Sequence, residues 1–323
     1  MRGCVRVFGF ALGLMAAAAA AQTSQPWPPG PEHATLKLWP HGLPPAPAGV
    51  PAWVLPTEPE HNVTTAQNKP TAGRPVFRLG DVSDPTLTLF AAPQDRNSGA
   101  AVLVFPGGGY HYLAIDIEGT EVCDWLDSIG VNCVLVKYRV PDGGPYPKSA
   151  AALQDAQRAM GMVREHAAAW GIDPQRVGVA GFSAGAYLAA AVSTHYDQRL
   201  YPKMDAADGL SCRPDFQMVI YPGYLAIAEK QFEFNPDIPV TAQTPPAFLV
   251  QAEDDPVHVE NVIEYFMQLK RAGVPAELHV YAKGGHGYGL RPTDLPISHW
   301  PELAAKWLQT IAVTGKAGMA ASQ

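Results

Sequence analysis

Five residues, Gly181-Phe182-Ser183-Ala184-Gly185, limit the architecture of this chain more than any other stretch. They follow the apolar run Val177-Gly178-Val179-Ala180 and lead into a small-residue helix pattern over Ala184–Thr194. A strand that turns directly into a helix at a serine holds that serine in a strained backbone conformation. Only residues without bulk fit two positions to either side, and both are glycine. The turn lifts the hydroxyl clear of the sheet and aims a helix N-terminus at whatever reacts there. An ordinary glycine-rich strand–helix turn would need no serine at its apex.

A serine hydroxyl needs a base, and the base needs a carboxylate to orient it. Two polar clusters follow strand patterns downstream. Phe248–Ala252 runs into Glu253-Asp254-Asp255-Pro256-Val257, and Glu277–Tyr281 runs into Lys283-Gly284-Gly285-His286-Gly287. Both stand just past the C-terminal ends of their strands, where open α/β sheets place their sites. Of ten histidines, most fall before the catalytic sheet, on helix patterns or inside a strand. His111 follows a glycine loop, and His258 follows the acid cluster. His286 alone lies in a glycine-rich loop after a late strand, so it is the expected base. For the acid, the spacing Asp-x-x-Val favours Asp254. Asp255, before Pro256, is then the expected N-cap of the next helix, and Glu253 is the outside candidate.

The strand pattern Ala100–Phe105 is followed by Pro106-Gly107-Gly108-Gly109-Tyr110. Three glycines let backbone N–H groups turn toward a ligand. Gly108 and Gly109, with Ala184, are the expected donors to a developing oxyanion. No Gly-Lys-Ser/Thr follows, which argues against a phosphate loop. Tyr110, Tyr112, Tyr221 and Tyr224 are candidate pocket walls, with buried packing as the alternative for each.

The order Pro-Gly-Gly-Gly-Tyr, Gly-Phe-Ser-Ala-Gly, Asp-Asp-Pro-Val, Gly-Gly-His-Gly resembles the α/β-hydrolase superfamily, with Pro106 where lipases and esterases carry the histidine of a His-Gly-Gly-Gly loop. Within it the chain is similar to the hormone-sensitive-lipase-like branch and to secreted bacterial acetylxylan and feruloyl esterases. The resemblance extends from about Leu87 to about Ile311, through Gln154–Ala159, Trp170-Gly171-Ile172-Asp173-Pro174 and Ala272–Glu277. It implies a serine esterase working through an acyl-enzyme without a cofactor. The implied substrate is a small-molecule or oligosaccharide ester, with a short acyl group such as acetyl removed from xylan. A prolyl-oligopeptidase-like peptidase would share the triad, but no repeats of propeller-blade length occur. A general short-chain carboxylesterase or lipase is the other alternative, although no long apolar lid helix is evident.

Strand patterns recur near Thr86–Phe90, Val102–Phe105, Asn132–Tyr138, Val177–Ala180, Met218–Tyr221, Phe248–Ala252 and Glu277–Tyr281. Helix patterns lie near Gly119–Ser128, Lys148–Trp170, Ala184–Thr194, Val259–Ala272 and Pro301–Ile311. This alternation predicts an α/β fold, a mostly parallel sheet with helices on both faces. The segment 222–246 lacks a clear period and is the expected cap over the pocket. The catalytic domain is expected over 74–315, with a short tail at 316–323.

Before it, residues 22–73 are dense in proline, with Trp27, Trp39 and Trp53 spaced through them. Long helices and central strands are excluded there. The segment is expected to be an extended arm packed by its tryptophans, the alternative being a flexible tether. Residues 1–21 carry Arg2 and Arg6, an apolar run and a poly-Ala end, as a cleavable signal peptide does. A secreted or periplasmic protein is therefore expected, with no integral membrane span. Cleavage would leave Cys123, Cys133 and Cys212, which allow one disulfide or three thiols. No Cys-x-x-Cys or His-Glu-x-x-His spacing suggests a metal. A formal charge of −7 argues against nucleic acid as a partner.

Overall fold

The computed structural model describes residues 27–314; the expected signal peptide at 1–21 and the tail at 316–323 lie outside the described residues. The central sheet has eight strands: β1 Thr35–Lys37, β2 Thr86–Phe90, β3 Ala101–Phe105, β4 Asn132–Lys137, β5 Val177–Phe182, β6 Gln217–Ile220, β7 Ala247–Ala252 and β8 Ala276–Tyr281. Their order across the sheet is β1-β2-β4-β3-β5-β6-β7-β8. β2 runs antiparallel to both β1 and β4, and every other pairing is parallel. Strands β3, β4, β5, β6 and β7 are buried along their whole length. This is why they read as continuous apolar runs rather than alternating ones.

Parallel neighbours need a crossover, and helices supply it. They are α1 Glu121–Ser128, α2 Ala151–His166, α3 Ala184–Val192, α4 Glu260–Arg271 and α5 Trp300–Thr310. α1 and α5 meet through an edge-on contact of Trp125 with Trp300 at 5.7 Å. α2 and α3 pack against each other. A disulfide joins Cys123 of α1 to Cys133 of β4, and Cys212 is free and buried. Among the described residues no helix is long and apolar enough to cross a membrane.

Strand order reverses at β3. The chain leaves β3 for β4 on one side and comes back to β5 on the other, so the C-terminal ends of β3 and β5 open a crevice between their outgoing loops. β3 and β5 are paired in register from Ala101 with Val177 to Phe105 with Gly181. This sets the loop after Phe105 directly beside the turn after Phe182.

Two segments differ from the expected pattern. The proline-rich stretch contributes β1 as an edge strand, the one kind of strand its composition tolerates. Trp39 is buried behind β1 and donates its indole N–H to Asp155 at 2.6 Å, while Trp53 donates to the Pro141 carbonyl at 2.8 Å. Further along, Arg78–Gly80 joins His61–Asn62 and Tyr112–Ala114 in a second, three-stranded sheet. The expected cap at 222–246 is a small hairpin, Ala226–Ile227 with Glu233–Phe234. It lies against α4, where Phe234 stacks on Tyr265 and Asn261 accepts the N–H groups of Leu225 and Ala226.

Candidate active site

Ser183 sits between β5 and α3 at φ 54°, ψ −117°. The turn is possible because a Cβ at Gly181 would collide with the Gly185 carbonyl, and one at Gly185 with the Phe105 carbonyl. Ser183 Oγ lies 2.8 Å from His286 Nε2, and His286 Nδ1 lies 2.9 Å from Asp255 Oδ2. The three groups form a continuous chain of hydrogen bonds across three loops that all leave the C-terminal edge of the sheet.

The acid expected from the sequence was Asp254, and the geometry corrects it to Asp255. Asp254 turns outward and accepts the N–H groups of Gly284 and Gly285 at 2.9 and 2.8 Å through Oδ1. Those bonds, with the Lys283 ammonium nearby, hold its carboxyl below the usual carboxylate range. Asp254 thus fixes the loop that carries His286 without touching the imidazole. Asp255 is buried, and its carboxylate also accepts Val257 N–H at 2.7 Å and Gln251 Nε2 at 3.1 Å. It does not cap the following helix, because α4 begins only at Glu260. Glu253 has no contact with His286.

Gly108 and Gly109 adopt φ of 135° and 63°, and a Cβ at Gly108 would strike the Tyr112 carbonyl. Among the described residues the N–H groups of Gly108, Gly109 and Ala184 meet no protein acceptor. The Gly107 N–H, by contrast, is held by Glu118 Oε2 at 2.6 Å. Glu118 was not anticipated. It is buried in the turn Asp116–Thr120, and its other oxygen accepts Tyr221 O–H at 3.0 Å. Tyr221 O in turn accepts Gly289 N–H at 3.1 Å. One carboxylate therefore ties together the glycine loop, the end of β6 and the loop beyond His286. Burial raises its pKa, opposed by the positive potential of His286 and by its two hydrogen bonds.

A cavity of about 590 Å³ opens over Ser183 and His286. Its lining includes Gly108, Gly109, His111, Tyr112 and Ile117, together with Lys69, Thr71, Val76 and Arg78. Of the tyrosines expected as walls, only Tyr112 lines this cavity. Tyr110, at a positive φ of 64°, is buried and packs against Tyr138 and Tyr224. Tyr221 is buried on Glu118. Tyr224 is partly exposed and lies beside Tyr110 and Tyr187, at the edge of the glycine loop. No residue of 222–246 lines the cavity, so the expected cap does not cover it; the second sheet supplies that wall.

A family model for the alpha/beta hydrolase fold matches residues 102–241. The chain is 30% identical over 233 residues to an acetylxylan esterase of Xylanibacter ruminicola, which covers 68% of this chain and 47% of that protein. It is 30% identical over 230 residues to an ethyl acetate hydrolase of Pseudomonas putida, covering 62% of this chain and 70% of that one. Among solved structures it is similar to an acetyl ester-xyloside bifunctional hydrolase from Caldicellulosiruptor lactoaceticus. There the identity is 36%, the TM-score 0.64, and the coverage 72% of this chain and 90% of the other. The chain spans less than half the length of the acetylxylan esterase it matches.

Proposed function

The chain belongs to the α/β-hydrolase-fold family, and from that premise we propose that it is a serine carboxylic-ester hydrolase that removes short acyl groups, acetyl foremost, from carbohydrate. The observation that carries the chemistry is the hydrogen-bonded sequence Ser183–His286–Asp255 at the floor of an open cavity.

His286, oriented by Asp255, takes the Ser183 proton as Oγ attacks the ester carbonyl. The carbonyl oxygen becomes an oxyanion facing the N–H groups of Gly108, Gly109 and Ala184, and losing one such donor typically costs about 3–4 kcal/mol of transition-state stabilisation. The alcohol leaves with the proton from His286. Water then enters, gives its proton to His286 and attacks the acyl-enzyme, releasing the acid and restoring Ser183. The carbohydrate reading is supported by the acetylxylan esterase and acetyl ester-xyloside hydrolase similarities. Export to the periplasm or the medium, as residues 1–21 suggest, would bring the enzyme to such polymers.

The test is acetate release from acetylated xylo-oligosaccharides and from p-nitrophenyl acetate, wild type against Ser183→Ala. Turnover of both, lost by at least about 10⁴-fold in a folded variant, is the expected result. Turnover of p-nitrophenyl acetate alone would keep the esterase and discard the sugar. Full activity in the variant would overturn the mechanism.

A further inference from the structure

We propose that the substrate carries a carboxylate, held by Arg78 with Lys69 at the mouth of the cavity; the proposal rests on the ester-hydrolase reading above and names a feature of its substrate.

The cavity that contains Ser183 and His286 is also lined by two permanent cations, Lys69 and Arg78, and by His111. Arg78 is half-buried on the second sheet. Its guanidinium is spread over the Tyr112 ring at 5.6 Å, and one nitrogen reaches the Val76 carbonyl at 3.4 Å. The ring contact and this one bond leave most of its N–H donors unused. Among the described residues no carboxylate pairs with Arg78 or with Lys69. The fully buried arginines behave differently: Arg139 meets Asp155, Arg158 meets Asp205 and Asp208, and Arg291 meets Asp116 and Glu121. The acid on the cavity lining, Glu118, gives both its oxygens to Gly107 and Tyr221.

A partly desolvated guanidinium that lines the same cavity as Ser183 and has no internal counter-charge is suited to grip a carboxylate through paired N–H···O bonds. It stands out against a chain of formal charge −7, which would otherwise repel anions. Two substrate classes present that chemistry. One is an acylated oligosaccharide bearing a uronic acid near the ester. The other is a hemiester whose acyl group ends in a second carboxylate.

The experiment measures kcat/KM in two matched pairs. The first is acetylated xylo-oligosaccharide with and without a glucuronyl branch; the second is p-nitrophenyl hemisuccinate against p-nitrophenyl butyrate. In at least one pair the anionic member should be preferred by about tenfold at low salt, with the preference shrinking as ionic strength rises. The pair that shows it identifies the source of the carboxylate. Arg78→Gln should erase most of that ratio, Lys69→Gln part of it, and Arg78→Lys should restore less than the native fork provides. Lys270→Gln, the same charge change at the exposed end of α4, should leave the ratio in place. Because the ratio is taken within each variant, a partial loss of folded protein does not alter it. Turnover of neutral esters with no anionic preference in either pair, or a preference untouched by Arg78→Gln, would overturn this proposal alone. A wild-type protein silent on all four esters would overturn it together with the ester-hydrolase reading.

Discussion

Adjacent aspartates at the end of β7 divide the work of holding His286. Asp255 points inward to the ring, and Asp254 points outward to the backbone of the histidine loop. Asp255→Asn should therefore lower kcat by about 10⁴-fold, because an amide can donate to Nδ1 and so favours the wrong tautomer. Asp254→Asn keeps the Oδ1 acceptor and should cost less than about tenfold. Steady-state kinetics on p-nitrophenyl acetate separates the two, and equal losses would contradict the geometry. Glu118 makes a third case. Glu118→Gln turns one acceptor into a donor against Gly107 N–H or Tyr221 O–H, so kcat should fall by about tenfold while KM moves less. Ser183 and His286 stood out in the sequence because each carries a local signature of flanking glycines, and the fold brings their side chains together. The choice between Asp254 and Asp255 was not, since it depends on which way a turn after the strand rotates. Glu118 reads in sequence as a solvated acid at a helix start, and only the tertiary fold buries it.

At the level of elements, the buried strands were plain in the sequence because each is an unbroken apolar run between turn residues. β1 and the second sheet were not, being two- or three-residue strands whose pairing partners lie far away in the chain. α1 shows what an element tolerates. Asp127 lies in its last turn, where the negative end of the helix dipole opposes a carboxylate, and its Oδ1 has no hydrogen-bond partner. Burial, with Asp124 adding repulsion, pushes its pKa up to about 7. A raised folded-state value means that the stability linked to the neutral acid is fully present below the ordinary carboxylate pKa. It is lost as pH rises toward and through 7. Asp127→Asn removes that loss. Its Tm should exceed that of wild type at pH 8 by about 2 °C or more, and the gap should close by pH 4. Thermal melts at the two pH values would show it; a gap of the same size at both would refute the linkage.

Across the whole molecule, Arg291 joins parts of the chain that are distant in sequence. Its buried guanidinium reaches the carbonyls of Arg74 and Pro75 at 2.8 and 2.9 Å and the carboxylates of Asp116 and Glu121 at 3.0 and 2.8 Å. It therefore locks the residues that directly follow the proline-rich segment to the turn that carries Glu118. Arg291→Gln strands two carboxylates in a partly buried site and should lower unfolding stability by about 3–5 kcal/mol in urea titrations. KM should rise as the cavity wall loosens. Normal stability in that variant would mean that the segment is held elsewhere.

Part of the cavity lining, from Lys69 to Arg78, lies upstream in the sequence of Ser183, Asp255 and His286. Under the proposed function, the stretch that would select the substrate is separate in sequence from the residues that would react with it, though Arg291 ties the two together in space. A graft of 60–80 from a homologue should transplant substrate preference onto an unaltered catalytic engine. Conversely, a protein trimmed at its proline-rich leader to aid expression would lose β1 and the buried Trp39 together with that lining, and should fold poorly instead of merely discriminating less.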